Sequence, residues 1–329
     1  MNRTMKSLLP AALMFLMASP ALGARPVARV LEVKGKVTIE RSKDSVRPAQ
    51  VYGTVYAGEK LIVAEKSYAV LGFREDGHLE RLKPGGTVTV AASGCEPKTA
   101  VEPVAVPKPL KPATDGAVRQ LRPVTQGGVT IVRAGGDEKP LPPRVSPIVG
   151  STVISRRPTF AWPPVTKAAR YQVIVYSGGE RVWSGTTEKT QLAYGAPAKL
   201  RASFAYHWEV LATLEDDNVK RFCEGEFTVA TQQQRDVAAD LEKLAADPQV
   251  PYLTLAAAWY HENGLIAEAL ALDQRLAKLL PESVPVQAAL ADLYTRAGRG
   301  EDAERARREY KRLRPPPAKP PWLRFPNPK

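Results

Sequence analysis

Cysteine and histidine are scarce in this chain. Its 329 residues hold two cysteines, Cys95 and Cys223, and three histidines. So few cysteines exclude a cysteine-rich metal centre. The pair permits one disulfide if the chain is exported, but the two residues fall in different predicted modules, and the sequence leaves their pairing open. Long apolar runs are also lacking. The stretch from Leu8 to Met17 is broken by Pro10 and falls short of the about 20 residues that a membrane span requires, and no later run is longer. Nor does any Ser/His/Asp, Cys/His or paired-carboxylate constellation stand out. The sequence therefore predicts no catalytic residues, no metal ligands and no cofactor, and an envelope enzyme whose residues are assembled only by folding stays as an alternative.

What is present is proline, glycine and positive charge. Thirty prolines and 23 glycines suit several small modules joined by stiff connectors better than one helical core. Arg3 and Lys6, the apolar stretch, and the small residues Ala21 and Gly23 form the pattern of a secretory leader spanning 1–23, cut before Ala24. No cysteine follows it, which argues against a lipid attached at the new N-terminus. Export across the inner membrane predicts a periplasmic product. The formal charge of +13, or +11 without the leader, favours anionic partner surfaces. Nucleic acid is not predicted as a specific partner, because no arginine-aromatic platform is present.

Residues 24–95 alternate short β-rich runs with the turn signals Lys34-Gly35, Asp76-Gly77 and Pro84-Gly85-Gly86, predicting a small barrel or sandwich. His78 lies between Asp76 and Glu80. A metal or acid/base site is one reading of that trio, and a solvated hairpin edge the one that strand alternation favours. The order of pieces, Gly35 before Val37-Thr38-Ile39, then Gly58-Glu59-Lys60-Leu61, Ala69 to Phe73 and Gly77 to Leu82, resembles the FecR-like domain of bacterial envelope proteins. That resemblance implies an envelope β module. It does not carry over the regulatory role of FecR itself, which needs a membrane segment and a cytoplasmic portion that this sequence does not display.

Residues 96–146 are rich in valine, lysine and proline and predict a linker, with GGVTIVR as a possible short strand. Residues 147–231 return to β alternation: Tyr171, Val173 and Val175 share one face, Gly178-Gly179 turns the chain, and Tyr206, Trp208 and Val210 form another strand. Phe160-Ala161-Trp162, Tyr171-Gln172-Val173 and Tyr206 to Val210 resemble fibronectin type III or immunoglobulin-like sandwiches. Trp162 and Trp183 serve either to close such a core or to stack on a sugar, so they are the candidate glycan contacts. His207 alternates with Tyr206 and Trp208, which places it on the outer strand face.

Residues 232–315 read as helical. Val237, Leu241 and Leu244 mark the face of a leading helix that Pro248 ends. Beyond it Tyr260, Gly264, Ala269, Leu276 and Pro281 recur 34 positions later as Tyr294, Gly298, Ala303, Tyr310 and Pro315. This register resembles two tetratricopeptide repeats, with Ala257 and Ala291 as close-packing residues, although Trp259 is displaced from the usual early aromatic and Gly300 is an addition. The resemblance implies recognition of a protein segment, with Tyr252, Trp259, Tyr260 and Arg296 as candidate contacts. His261 beside Glu262 reads as a capped helix end. Arg299, Arg305, Arg307, Arg308, Arg312 and Arg314 make a basic terminal face, and residues 316–329 form a proline-rich tail with Trp322 and Phe325.

The fold class expected is thus multidomain β plus α. The function expected is a noncatalytic envelope adaptor that binds a protein or peptide, with binding of peptidoglycan or another cell-wall glycan as the alternative. The sequence carries no signature of an oligomeric state.

Overall fold

The computed structural model describes residues 26–42, 45–106, 144–216 and 218–314. The expected leader, GGVTIVR and the tail residues Trp322 and Phe325 lie outside them. Two β modules precede a bundle of five helices.

The first module is a sandwich of two five-stranded sheets. One runs β10(Val101–Pro103), β7(Leu79–Leu82), β6(Tyr68–Phe73), β1(Pro26–Lys34), β4(Thr54–Tyr56), and the other β3(Ser45–Pro48), β2(Val37–Ser42), β5(Lys60–Val63), β8(Thr87–Ala91), β9(Gly94–Glu96). Val30, Ile39, Leu61, Leu71, Phe73 and Val88 fill the space between them. Gly35, at φ +75°, turns the chain from β1 in one sheet to β2 in the other, and a Cβ there would meet the Ser67 hydroxyl. The module does not stop at residue 95. A short turn at Lys98–Ala100 leads into β10, which pairs antiparallel with β7, so the start of the expected linker is a sheet edge.

The middle module sets β11(Ser151–Val153), β17(Val219–Val229), β16(Ala205–Leu214), β13(Ala168–Ser177) and β14(Glu180–Thr187) against the pair β12(Thr159–Ala161) and β15(Gln191–Ala193). Phe160, Trp208 and Phe227 meet at ring separations of 5.5 and 6.0 Å and close its core. The Tyr206 hydroxyl accepts from the Arg201 amide at 2.8 Å, the corner device that pins the entry of a strand in sandwiches of this kind.

The helices are α1(Gln232–Ala246), α2(Val250–Glu262), α3(Ile266–Leu279), α4(Val284–Arg296) and α5(Gly300–Leu313). Thr231 and Gln234 form a capping box that starts α1 directly after the middle sandwich. The 34-residue repeat has a backbone cause. After α2, Gly264 takes φ +70°, its amide bonds the His261 carbonyl, and the Leu265 amide bonds the Tyr260 carbonyl at 2.9 Å. After α4, Gly298 takes φ +69°, and the Arg299 amide bonds the Tyr294 carbonyl at 2.8 Å. Both endings are Schellman motifs, so the recurring glycine is the left-handed residue that each requires. No helix among the described residues is long and apolar enough to cross a membrane.

The sheet β10-β7-β6-β1-β4 is covered on both faces. Its inner face packs on the second sheet, while Leu31, Val70 and Leu79 on the outer face join the core of the helical unit. This places the first module and the helices in one continuous hydrophobic cluster.

Candidate functional site

Helix α2 is apolar on nearly every side: VPYLTLAAAWY leaves no polar stripe for solvent, and Pro251 through Tyr260 are all buried. Such a helix needs cover all round. Its neighbours α1 and α3 supply part of that cover, and strand β1 of the first module supplies more. Three of the four expected protein contacts are therefore interior. Trp259 is fully buried and meets Tyr260 edge-on at 5.6 Å, the Tyr260 hydroxyl donates to the Ala238 carbonyl at 3.2 Å, and the Tyr252 hydroxyl donates to the Ala105 carbonyl beyond β10. Assigning these three side chains to an external partner is corrected: they are buried inside the chain, Tyr252 reaching the segment after β10 and Tyr260 reaching α1. Arg296 at the end of α4 stays exposed.

A polar seam accompanies the apolar contact. Arg29 of β1 pairs with Glu262 at 2.6 Å, and the Tyr52 hydroxyl donates to Asp273 Oδ1 at 2.6 Å. His261 Nε2 lies 2.6 Å from the other oxygen of the same carboxylate, and the Tyr52 and His261 rings meet edge-on at 6.1 Å. Asp273 is completely buried. Burial, and then the Asp273 carboxylate, push the Tyr52 hydroxyl well above its usual range, so it is a neutral donor. Burial lowers the Arg29 guanidinium from its ordinary value, and Glu262 opposes that shift. Tyr52 adopts φ +66°, a left-handed conformation uncommon for an aromatic residue, and the surrounding contacts hold it there. His261 and Glu262 do stand at the capped end of α2, and their side chains in addition reach into the seam. The middle module joins through its backbone, the Thr152 amide donating to the Gly264 carbonyl at 2.8 Å.

The other histidines also meet carboxylates. His78 stacks on Phe73 at 4.6 Å, with Nδ1 on Asp76 and Nε2 3.4 Å from Glu80. Glu80 is buried, so the expected solvated edge is half interior. Burial raises the Glu80 carboxyl, but hydrogen bonds from His78, Lys98 and the Cys95 amide outweigh it and bring the pKa to about 2. The bond to Glu80 raises His78 against the opposing effect of burial, and Asp76 adds to the rise. His207 lies on the outer face of the middle sandwich, 3.9 Å from Glu224.

Trp162 is buried against Tyr171 at 5.4 Å. Trp183 is half-buried, with Phe160 at 6.0 Å, Tyr194 at 5.0 Å and the six-membered ring over Gly185. Neither indole makes an open stacking platform, so the glycan contact assigned to them is corrected to core closure. The cysteines are free and buried in separate modules. Arg299 just before α5, and Arg305, Arg307 and Arg312 on it, each pair with an acid of α5, which neutralises much of the basic face.

Sequence reasoning missed the seam because its members lie far apart in the chain. The usable signal was α2 itself, whose missing polar face requires an additional covering layer.

No protein-family model matches the chain, and no curated protein matches it in sequence. Solved structures give partial superpositions. CopC from Methylosinus trichosporium OB3b is 18% identical over 27% of this chain and 90% of its own, with a TM-score of 0.22. The fn3 domain of human collagen alpha-1(XX) chain is 16% identical over 30% of this chain and 94% of its own, also at 0.22. The beta-1,2-glucanase from Parabacteroides distasonis is 10% identical over 88% of this chain and 59% of its own, at 0.21. Likeness of this order carries no functional weight.

Proposed function

We propose that the chain is a noncatalytic scaffold of the bacterial cell envelope, in which a FecR-like β module, a fibronectin type III-like sandwich and tetratricopeptide-like hairpins present one composite protein-binding surface in the periplasm. The observation that carries this reading is the burial of α2 between its sister helices and the first module, sealed by Arg29–Glu262 and Tyr52–Asp273. Helical repeats that act as free recognition arms keep their first helices open, whereas here that helix is occupied in holding a neighbouring module. The Schellman endings at the 34-residue spacing support the tetratricopeptide-like reading. A partner protein or peptide then meets the assembled α4–α5 surface around Arg296 rather than the interior aromatics. Fixing the modules relative to one another removes much of the ordering cost that flexibly tethered modules incur on binding.

Photocrosslinking in intact cells from position 296, with exposed position 60 of the first module as comparison, tests the proposal. A discrete protein adduct from position 296, absent from position 60, is the expected result. Adducts to cell-wall glycan alone, or none from position 296, overturn it.

A further inference from the structure

On the outer face of the middle sandwich, β16 and β17 place four polar side chains in a square. The register sets His207 opposite Glu226 and Glu209 opposite Glu224, with Trp208 and Gly225 paired between them. Trp208 is fully buried, so alternation sends its neighbours His207 and Glu209 to the opposite face. Gly225 leaves room for the indole beneath: a Cβ there would stand 3.2 Å from Trp208 Nε1. Cross-strand pairs on adjacent antiparallel strands stand close enough for their end groups to converge. Three acids and a histidine gathered on one face are out of keeping with a chain whose formal charge is +13.

We propose that His207, Glu209 and Glu224 form a binding site for a divalent cation of the zinc class. Their donor atoms already lie within 4.8 Å of one another. Glu209 is only 5% exposed, and its two oxygens have separate tasks: Oε1 accepts from the Tyr176 hydroxyl at 2.6 Å, and Oε2 faces Arg221 Nε at 2.7 Å. Arg221 Nη1 also reaches Glu224 at 3.5 Å. A positive group thus stands between the two carboxylates, at the place where a metal ion would balance both. Its side chain is 62% exposed and free to swing outward, while Tyr176 retains Glu209. Zinc bonds of ~2.0–2.1 Å bring donor atoms to a separation of ~3.3 Å, which rotation of the part-exposed His207 and Glu224 side chains supplies.

One imidazole and two carboxylates suit zinc, cobalt or manganese and leave a coordination position for water or a partner's side chain. Thiolate is not part of the set, because Cys223 faces the sandwich core. A groove of ≈ 460 Å³ opens over His207 and Glu209, with Arg221, Glu226, Gly178, Gly179 and Ala205 on its wall, and gives the ion and a further ligand access. The other histidines are committed elsewhere. Both nitrogens of His78 face carboxylates, one of which Lys98 already neutralises at 2.9 Å, and His261 is held in the seam by Asp273.

Calorimetric titration of the mature protein with Zn²⁺, paired with the visible spectrum of its Co²⁺ form, tests the site. One equivalent is expected to bind. H207A and E224Q should each weaken binding by at least ~10-fold and alter the Co²⁺ bands, and H78A should change neither. R221Q should tighten binding several-fold by removing the competing cation, a gain that misfolding does not mimic. No saturable binding at one equivalent, binding that H207A leaves unchanged, or a loss of affinity in R221Q overturns the assignment. Photocrosslinking from position 296 does not depend on the metal, so the scaffold reading stands or falls separately.

Discussion

The Tyr52 hydroxyl and Asp273 Oδ1, 221 positions apart in sequence, meet at 2.6 Å across the seam between the first β module and α3. Asp273 is fully buried and has His261 as its second partner. Tyr52→Phe keeps the ring and removes one donor from a buried carboxylate. The expected loss is about 1–3 kcal/mol of unfolding free energy, read from urea denaturation of the protein. A loss below about 0.5 kcal/mol would show that the seam does not depend on this bond.

Arg29 and Glu262 give a stricter test, because their side chains are only 5% and 13% exposed. Glu262→Gln leaves the guanidinium without this carboxylate and is expected to cost about 3 kcal/mol. Replacing both residues by methionine should cost clearly less than the two single replacements added together. The double-mutant cycle measures that difference, and additivity would mean that the pair contributes no coupling.

Much of the architecture is legible in local chemistry. Alternation at Tyr171, Val173 and Val175 marks an inner sheet face, and these three residues do share the sandwich core. Tyr260 and Gly264, with their counterparts Tyr294 and Gly298, mark helix endings because the left-handed glycine and the carbonyl it helps to satisfy are fixed in spacing. The seam is not legible in the same way. Tyr68 through Phe73 is apolar on both faces, which signals a doubly covered strand without naming the cover. Arg29, Tyr52, Glu262 and Asp273 look like ordinary surface residues until folding brings them together. Trp259 and Tyr252 illustrate the opposite error: aromatic character suggests recognition equally when it serves a core.

Glu80 predicts an acid limb in the stability profile. Its carboxyl falls from an ordinary 4.5 to about 2 in the folded chain. The folded state therefore gains stability above the unfolded pKa and loses it as pH drops through that interval. The expected contribution is ~2 kcal/mol after allowing for screening. His78 has the opposite sign: its raised pKa stabilises the fold below about 6.5 and ceases to do so as pH rises through the folded value. Glu80→Gln should flatten the loss between pH 4.5 and 2, measured as denaturation midpoints across pH. An unchanged acid limb would assign the effect to other carboxylates.

The thiols should be silent in the native protein. Burial, reinforced by Glu80, raises Cys95 far above the usual thiol range, and burial with Glu224 pushes Cys223 up to about 12. Because the thiolate is the reactive form, neither residue should react with a disulfide reagent at about pH 8 until the chain unfolds. Two thiols per chain should then appear. Rapid labelling of either one in the native protein would contradict the burial of its module core.

Gly264 links the helical repeat to the middle sandwich, and its replacement separates two costs. At φ +70° any side chain incurs backbone strain of about 1 kcal/mol, and a Cβ there would stand 3.3 Å from the Thr152 hydroxyl oxygen beside the bond from the Thr152 amide. Gly58 is the matched control, with φ +84° and nothing within 4 Å of where an added methyl group would stand. Gly58→Ala should therefore show the backbone cost alone, whereas Gly264→Ala should cost more and also speed protease cleavage within residues 144–160, where the sandwich begins. Equal losses in the two variants, with unchanged cleavage, would mean that the Thr152–Gly264 contact does not hold the middle module against the helices.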